Sequence, residues 1–375
     1  MQLTKLISLV IQLGRPVHLI GEPGIGKTAF IQELARKLGY HLETIIAANH
    51  EPSDITGLPA VAEIDGMPIA QFLAIPMIRN ILEKANEGIP TIFFLDEIST
   101  APPAMQAACL RLLHERMAGS IELPATTLFA LASNPTGTSA GVFMLTGAMA
   151  NRMYHFPWRA DAKIFQMGMI QGFDKADILT VPDDWENFKP EARTMVASYI
   201  GVNETKLLVQ PKESSNQAGA WPSPRTWEIS SEGIAGILSL RMSEEENHEA
   251  LLPLLSAIIG DGDALEFMAW YDNRDLRRPQ EYLTDPEGID LPERSDQIFA
   301  ILNSIVSYLI NKDNITRPEW KAAWTVLGRV AESGKADFAA IPAALLVRGR
   351  PKGYQVPAAI AKFIPALSAA GLVEK

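Results

Sequence analysis

The chain is poor in cysteine. Cys109 is the one thiol among 375 residues, so neither an intrachain disulfide framework nor a cysteine metal site can form within one copy. Its apolar neighbours on an expected helix predict a buried, inert thiol. Such sparing use of cysteine fits a reducing, cytoplasmic setting. Positive charge is also scarce: 33 Lys and Arg stand against 44 Asp and Glu, a net charge of −11 with a pI of about 5.1. That disfavours nucleic acid as the main partner, because binding a phosphate backbone favours a basic face. No run of 18 or more apolar residues occurs, so no transmembrane segment and no membrane partner are expected. Internal repeats and long low-complexity tracts are missing as well. With hydrophobic residues at 47% and charged residues at 21%, the composition excludes a disordered chain and describes a globular one.

Near the N-terminus, Lys5 precedes the apolar stretch Leu6 to Ile11, a faint likeness to a signal peptide with no small-residue cleavage site after it. Leu3, Leu6, Ile7 and Val10 fall instead on one face of an amphipathic helix. Up to about residue 155, strand and helix signals alternate, with strands expected over 17–20, 43–48, 91–95, 127–133 and 153–156. This pattern predicts an α/β class with a largely parallel sheet covered by helices. Thr100 is expected to cap a helix over 101–116 whose first turn carries Pro102 and Pro103. The polar stretch 210–219 reads as a surface loop. From Ser223 onward the pattern is mostly helical, clearest over 250–259, 263–271 and 296–310, with Glu244, Glu245 and Glu246 as a solvated helix start. Arg274, Arg277 and Arg278 form a small basic cluster, read as ion pairs or an interface rather than a ligand site.

Gly21, Glu22, Pro23, Gly24, Ile25, Gly26, Lys27 and Thr28 fit G-x-x-x-x-G-K-[ST], the Walker A phosphate loop, with Ala29 just beyond it. The glycines let the backbone curl so that its N–H groups face phosphates. Lys27 can reach the β- and γ-phosphates, and the Thr28 hydroxyl can ligate Mg²⁺. The apolar run 17–20 precedes the loop and a helical pattern from Thr28 to Leu38, closed by Gly39, follows it. A strand feeding a glycine turn and a helix N-terminus is an arrangement that binds phosphate. Ile92 to Leu95, followed by Asp96 and Glu97, forms a Walker B pattern: a buried strand delivering two carboxylates at its C-terminal end, where ligands of open α/β sheets sit. Asp96 would hold Mg²⁺, directly or through water. Glu97 would orient and deprotonate the attacking water. The strand 127–133 ends at Asn134 and Pro135. Asn134 could bond the attacking water or the γ-phosphate, or could serve an Asn-Pro turn.

The order of these motifs, together with Ala132 to Pro135, Ala150-Asn151-Arg152 and Trp221 to Trp227, resembles that of AAA+ ATPases. More narrowly, Glu97-Ile98-Ser99 followed by Ala101-Pro102 resembles the MoxR-type branch, and the likeness covers about residues 1–310. It implies a P-loop AAA+ core of five parallel strands with flanking helices over 1–160 and a bridging segment over 161–222. An all-α lid over 223–310 and a C-terminal helical extension over 311–375 would follow. Asn134 then falls at sensor 1. Arg225 falls at sensor 2, contacting the γ-phosphate of its own subunit's nucleotide. Arg152 resembles the arginine finger that reaches a neighbour's ATP. The family's usual Arg-Phe is here Arg152-Met153, which leaves Arg159 as a competitor.

Two insertions also match the branch. Ala47 to Ile75 carries Asp54 to Gly57 and a hairpin turning at Ile64 to Met67; Gly119 to Pro124 is the tip of a second hairpin. The resemblance implies ATP and Mg²⁺ as ligands, a homo-oligomeric, hexameric ring, a protein client that is remodelled, and a partner with a von Willebrand factor A domain. A nucleic-acid motor or loader, and a scaffold that binds ATP but hydrolyses it poorly, are the rival readings. The acidic charge weighs against the first and the Asp96-Glu97 pair against the second.

Overall fold

The computed structural model describes residues 1–64, 67–135, 143–173, 177–213, 217–272, 279–310, 312, 314–355 and 363. They form two compact units, Met1–Asp183 with Val209–Ala264, and Asp184–Leu208 with Leu265–Lys375.

The first unit is built on a parallel five-stranded sheet. Its strands are β1 (Val17–Ile20), β2 (His41–Ile46), β5 (Thr91–Asp96), β8 (Thr127–Ser133) and β9 (Tyr154–Pro157), ordered β2-β5-β8-β1-β9. The central strands explain their own sequences. β8 is buried throughout and β5 is buried up to Leu95, as strands covered on both faces must be, so they read as apolar runs without alternation. β2, at one edge, is buried only at Ile45. Helices α1 (Leu3–Gln12), α2 (Lys27–Leu38), α4 (Pro76–Asn86) and α5 (Pro103–Glu115) belong to this unit, with single turns at α3 (Ser53–Thr56) and α6 (Gly147–Ala150). On one face Phe93, Leu95, Phe129 and Leu131 join Met105, Cys109 and Leu112 of α5 in one apolar cluster. Cys109 is buried there, and its thiol is pushed up to about 12 by burial, which makes it inert at neutral pH.

Several expectations shift by a residue or two. The strand expected over 43–48 runs 41–46 because Ala47–Asn49 turn into a 3₁₀ segment, and that expected over 153–156 runs 154–157. Thr100 is not a cap. Helix α5 starts at Pro103 after Pro102, without a side-chain cap, and the Thr100 hydroxyl donates to the Glu97 carbonyl at 2.8 Å. Both insertions form antiparallel hairpins, β3 (Leu58–Ile64) with β4 (Met67–Leu73) and β6 (Met117–Ala118) with β7 (Ile121–Glu122). The turn residues Asp65 and Gly66 lie outside the described residues.

Helix α7 (Ala162–Gln171) follows, then α8 (Lys189–Val202) of the second unit. The helical stretch after Ser223 divides between the units. α9 (Pro224–Ser239) and α10 (Glu244–Ile259) belong with the sheet; most of α11 (Asp261–Asp272), with α12 (Pro279–Thr284), α13 (Ser295–Ile310), α14 (Arg317–Glu332) and α15 (Ala336–Arg348), belongs to the second unit. The acidic triplet opens α10 behind a capping box made by Ser243 and Glu246. The second unit has a core of its own, in which Leu302, Ile305 and Leu309 meet Trp320, Trp324, Leu327 and Leu346. Arg274, Arg277 and Arg278 lie outside the described residues, as do 214–216 of the expected surface loop. Among the described residues no helix is long and apolar enough to cross a membrane.

Candidate active site

β1 delivers the chain to the phosphate loop. Gly24 and Gly26 take φ of 79° and 89°, the left-handed region that costs glycine little, and the loop curls into the N-terminus of α2. Gly21 answers a different need: a Cβ there would stand 2.2 Å from the Trp158 carbonyl oxygen. Trp158 braces the loop from the far side. Its indole donates to the Ile25 carbonyl at 3.1 Å and its ring lies 4.7 Å from that of Phe30. Nothing in the sequence spacing marked it.

The Lys27 ammonium is buried and donates to the carbonyls of Gly21 and Glu22, at 2.5 and 2.9 Å, and to Asn134 Oδ1 at 3.2 Å. Burial pulls its pKa below the usual lysine range, while Asp96, Glu22 and Glu97 oppose that shift. Thr28 Oγ1 donates to Asp96 Oδ2 at 2.7 Å, and the other Asp96 oxygen accepts from the Glu97 N–H at 2.9 Å. Glu97 has φ 54°, a left-handed conformation unusual for a residue with a side chain, and it turns the chain sharply as β5 ends. Its carboxylate is left exposed at the cleft.

These groups converge on a cavity of about 350 Å³ at the C-terminal ends of β5 and β8, lined by Gly24, Lys27, Thr28, Asp96, Glu97 and Asn134 among others. Pro23, Gly26 and Ala29 line it too, and so does Ser133, which sequence reasoning had not singled out. Gly21, Glu22 and Ile25 shape the loop behind it. The donor set fits a hard divalent cation. One carboxylate and one hydroxyl oxygen meet there, and such a cation takes one or two protein oxygens and completes its shell with water and phosphate. Among the described residues no group of three or more His, Cys, Asp or Glu could form an all-protein cage.

The two arginines are elsewhere. Arg152 follows the single turn α6, two residues before β9, and its guanidinium donates to the Ala148 carbonyl. Its Nε is buried with no hydrogen-bond partner. Burial lowers its pKa, and Arg225 lies near enough to lower it further by like-charge repulsion. Arg225, exposed in the first turn of α9, is brought there by Ser223, whose hydroxyl donates to Asn151 Oδ1 at 2.7 Å while Asn151 Nδ2 donates to the Trp221 carbonyl at 3.3 Å. Among the described residues no carboxylate pairs with either arginine, and neither lines the cavity. Arg159 is exposed two residues after β9 ends.

Residues 16–156 match the family model of the AAA domain, dynein-related subfamily. An uncharacterized protein, ycf45, of Porphyra purpurea is 28% identical over 143 residues, which is 35% of this chain and 24% of that protein. Its namesake from Cyanidium caldarium is 29% identical over 131 residues, 34% of this chain and 38% of that protein. The chain thus spans well under half the length of these relatives. A solved structure of a candidate ATPase from Cytophaga hutchinsonii superposes with a TM-score of 0.42 at 14% identity, over 76% of this chain and 88% of that one. The matched residues hold the whole parallel sheet but for its last position, the phosphate loop and the paired carboxylates of β5. The match to an AAA domain is thus confined to residues 16–156, the part of the chain that carries the cavity.

Proposed function

We propose that the chain is a Mg²⁺-dependent ATP hydrolase of MoxR-like type that works as a ring and remodels a protein client. The observation that carries this reading is the convergence of Lys27, Thr28, Asp96, Glu97 and Asn134 on one cavity at the end of a parallel sheet. Each side chain then has a task. Lys27 exchanges its carbonyl partners for the β- and γ-phosphates. Asn134, already on the Lys27 ammonium, orients the γ-phosphate or the attacking water. Glu97 accepts the water's proton as its oxygen bonds to phosphorus and the bond to the ADP oxygen breaks, giving ADP and phosphate. Thr28 and Asp96 would hold Mg²⁺, which supplies charge neutralisation to the phosphates.

The reading also assigns both arginines to the neighbouring subunit. Arg152 and Arg225 stand together, unpaired with any acid among the described residues, outside the cavity of their own chain. Two adjacent guanidiniums repel unless an anion sits between them, and a neighbour's triphosphate is such an anion. On this reading Arg225 serves in trans beside Arg152, whereas the family likeness implies a contact with its own subunit's nucleotide. ATP hydrolysis measured against protein concentration tests this. Specific activity should rise steeply as subunits associate and be indifferent to added DNA. Constant specific activity across the association range would exclude arginines acting in trans, and strong stimulation by DNA would favour a nucleic-acid motor.

A further inference from the structure

A buried polar chain crosses the sheet between the cavity and Arg152, and nothing in the hydrolytic reading uses it. His18 of β1, His155 of β9 and Ser133 of β8 are all buried. Strand order brings them together. β1 lies between β8 and β9, His18 stands in register with His155, and Ser133 is two residues beyond Leu131, the register partner of His18 on the other side. Residues two apart on a strand share a face. Ser133 Oγ is 2.7 Å from His18 Nε2, His18 Nδ1 is 3.0 Å from His155 Nδ1, and His155 Nε2 is 2.9 Å from the Ala150 carbonyl oxygen.

The direction of every link is fixed by its far end. A carbonyl only accepts, so His155 Nε2 carries a proton and donates. Burial holds both rings neutral, each having its pKa lowered, so each has one N–H. His155 Nδ1 is then an acceptor and His18 Nδ1 must donate to it. His18 Nε2 is left as an acceptor and takes the Ser133 hydroxyl proton. The result is one unbroken run, Ser133 to His18 to His155 to Ala150, with no spare donor and no spare acceptor on either ring. If the serine hydroxyl turns away, a buried ring nitrogen loses its partner, and the loss is felt along the run.

Its two ends are the two halves of the proposed chemistry. Ser133 lines the cavity, precedes Asn134, and accepts the Gly21 N–H on its carbonyl at 3.1 Å. Ala150 closes the single turn α6, whose next residues are Asn151 and Arg152. A helix of four residues has little rigidity of its own; it is held by the Thr146 cap at one end and by His155 at the other. We propose that Ser133, His18 and His155 are positioning residues that couple occupancy of a subunit's own cavity to the placement of the Arg152 it offers its neighbour. This rests on Arg152 acting in trans.

The experiment separates the two ideas by mixing subunits. An Arg152→Ala subunit keeps its cavity but no longer offers Arg152 to its neighbour. A Glu97→Gln subunit offers its arginine but hydrolyses poorly. Turnover recovered on co-assembly reads the arginine of the second serving the cavity of the first. His18→Leu is then placed in one subunit or the other. In the arginine-offering subunit it should lower recovered turnover about tenfold, since a displacement near 1 Å costs that much or more, while in the cavity-offering subunit the change should stay under about twofold. ATP affinity by calorimetry should be unmoved in both. Equal losses in both placements would mark His18 as merely structural and overturn the coupling, and so would no loss in the first. If His18→Leu subunits do not assemble, His155→Gln, which can still donate to the Ala150 carbonyl, should retain more turnover than His155→Leu in the arginine-offering subunit; equal values overturn the proposal. No recovery in the parent mixture, with co-assembly demonstrated, overturns the action in trans and the coupling with it. Recovery that ignores the donor-side histidines overturns the coupling alone.

Discussion

In the cavity, the chain answers its own polar groups. Lys27 donates to three acceptors, Thr28 bonds Asp96, and the remaining oxygen of Asp96 takes the Glu97 N–H. At the corner where α6 meets the start of α9, cation stands beside cation, and one guanidinium nitrogen of Arg152 is buried with nothing to bond. Both regions belong to one compact unit. An isolated protein gains little from placing two arginines together where no acid among the described residues pairs with them, because like charges repel and a partly buried one such as Arg152 is costly without a counter-charge. Under the proposed reading the cavity is a receiving half and the corner an offering half.

The largest expected effect breaks the offering half. Arg152→Ala should lower turnover of the assembled protein by about 10³-fold or more, the range of arginines supplied in trans, with ATP affinity of the single subunit unchanged. Steady-state hydrolysis and calorimetry check it. A modest fall, equal in dilute and concentrated protein, would make Arg152 structural and turn attention to Arg159. Next, Glu97→Gln should keep ATP binding and reduce hydrolysis by roughly 10²-fold or more, the contribution of a positioned base. Normal turnover in that variant would mean another group holds the water. Lys27→Ala should weaken ATP binding by about 10²-fold, as truncation of one partner in a desolvated charge pair does. Unchanged affinity would show that this cavity does not take the phosphates.

What could be read from the sequence follows from how each feature is encoded. β5 and β8 are buried on both faces and so appear as apolar runs; the phosphate loop needs glycine at Gly24 and Gly26 for their positive φ, and that need is written in the residue itself. The caps were harder. Thr100 has the right chemistry three residues before the helix begins, but the proline pair at Pro102 and Pro103 starts α5 later and leaves the hydroxyl to the Glu97 carbonyl. Asn134 could be either a turn or a sensor on its spacing, and the fold brings its side-chain oxygen to the Lys27 ammonium. The histidine run was invisible. Its members sit at 18, 133 and 155, and only the insertion of β1 between β8 and β9 makes them neighbours. The corner was hidden for the same reason, since Asn151 and Ser223 meet across 72 residues.

The histidine run predicts a pH dependence of stability. Burial holds His155 at about 4 in the folded chain against an ordinary 6.5, and it lowers His18 well below that same value with His155 and Lys27 adding to the effect. Between pH 6.5 and about 4 the unfolded chain therefore takes up protons that the folded chain does not. Stability should fall as pH falls through that window, by about 3 kcal/mol for His155 alone. Urea midpoints at about pH 7.5 and about pH 5 check it, with His155→Gln showing a shallower dependence. A wild-type midpoint that does not move would mean that the pair is protonated when folded.

The smallest expected effect asks what holds the two arginines side by side. Ser223 does two jobs with one hydroxyl. It accepts the Thr226 N–H as the cap of α9, and it donates to Asn151 Oδ1 at 2.7 Å. Thr226 returns the favour by accepting the Ser223 N–H, completing a capping box around Pro224 at the first helical position. Ser223→Ala should cost about 1–2 kcal/mol, a lost cap together with a buried oxygen left without its donor. The fall in urea midpoint measures that part. The informative part is kinetic. Asn151 is the residue before Arg152, and Ser223 is two before Arg225, so loosening their contact should separate the arginines. Under the trans reading, association-dependent turnover should then drop severalfold, about as a small displacement in a catalytic clamp does, while ATP affinity of the dilute subunit holds. A loss of stability with full association-dependent turnover would show that the arginines find their places without the Asn151–Ser223 contact, and the offering half would then be ordered by the neighbour's nucleotide and not by its own chain.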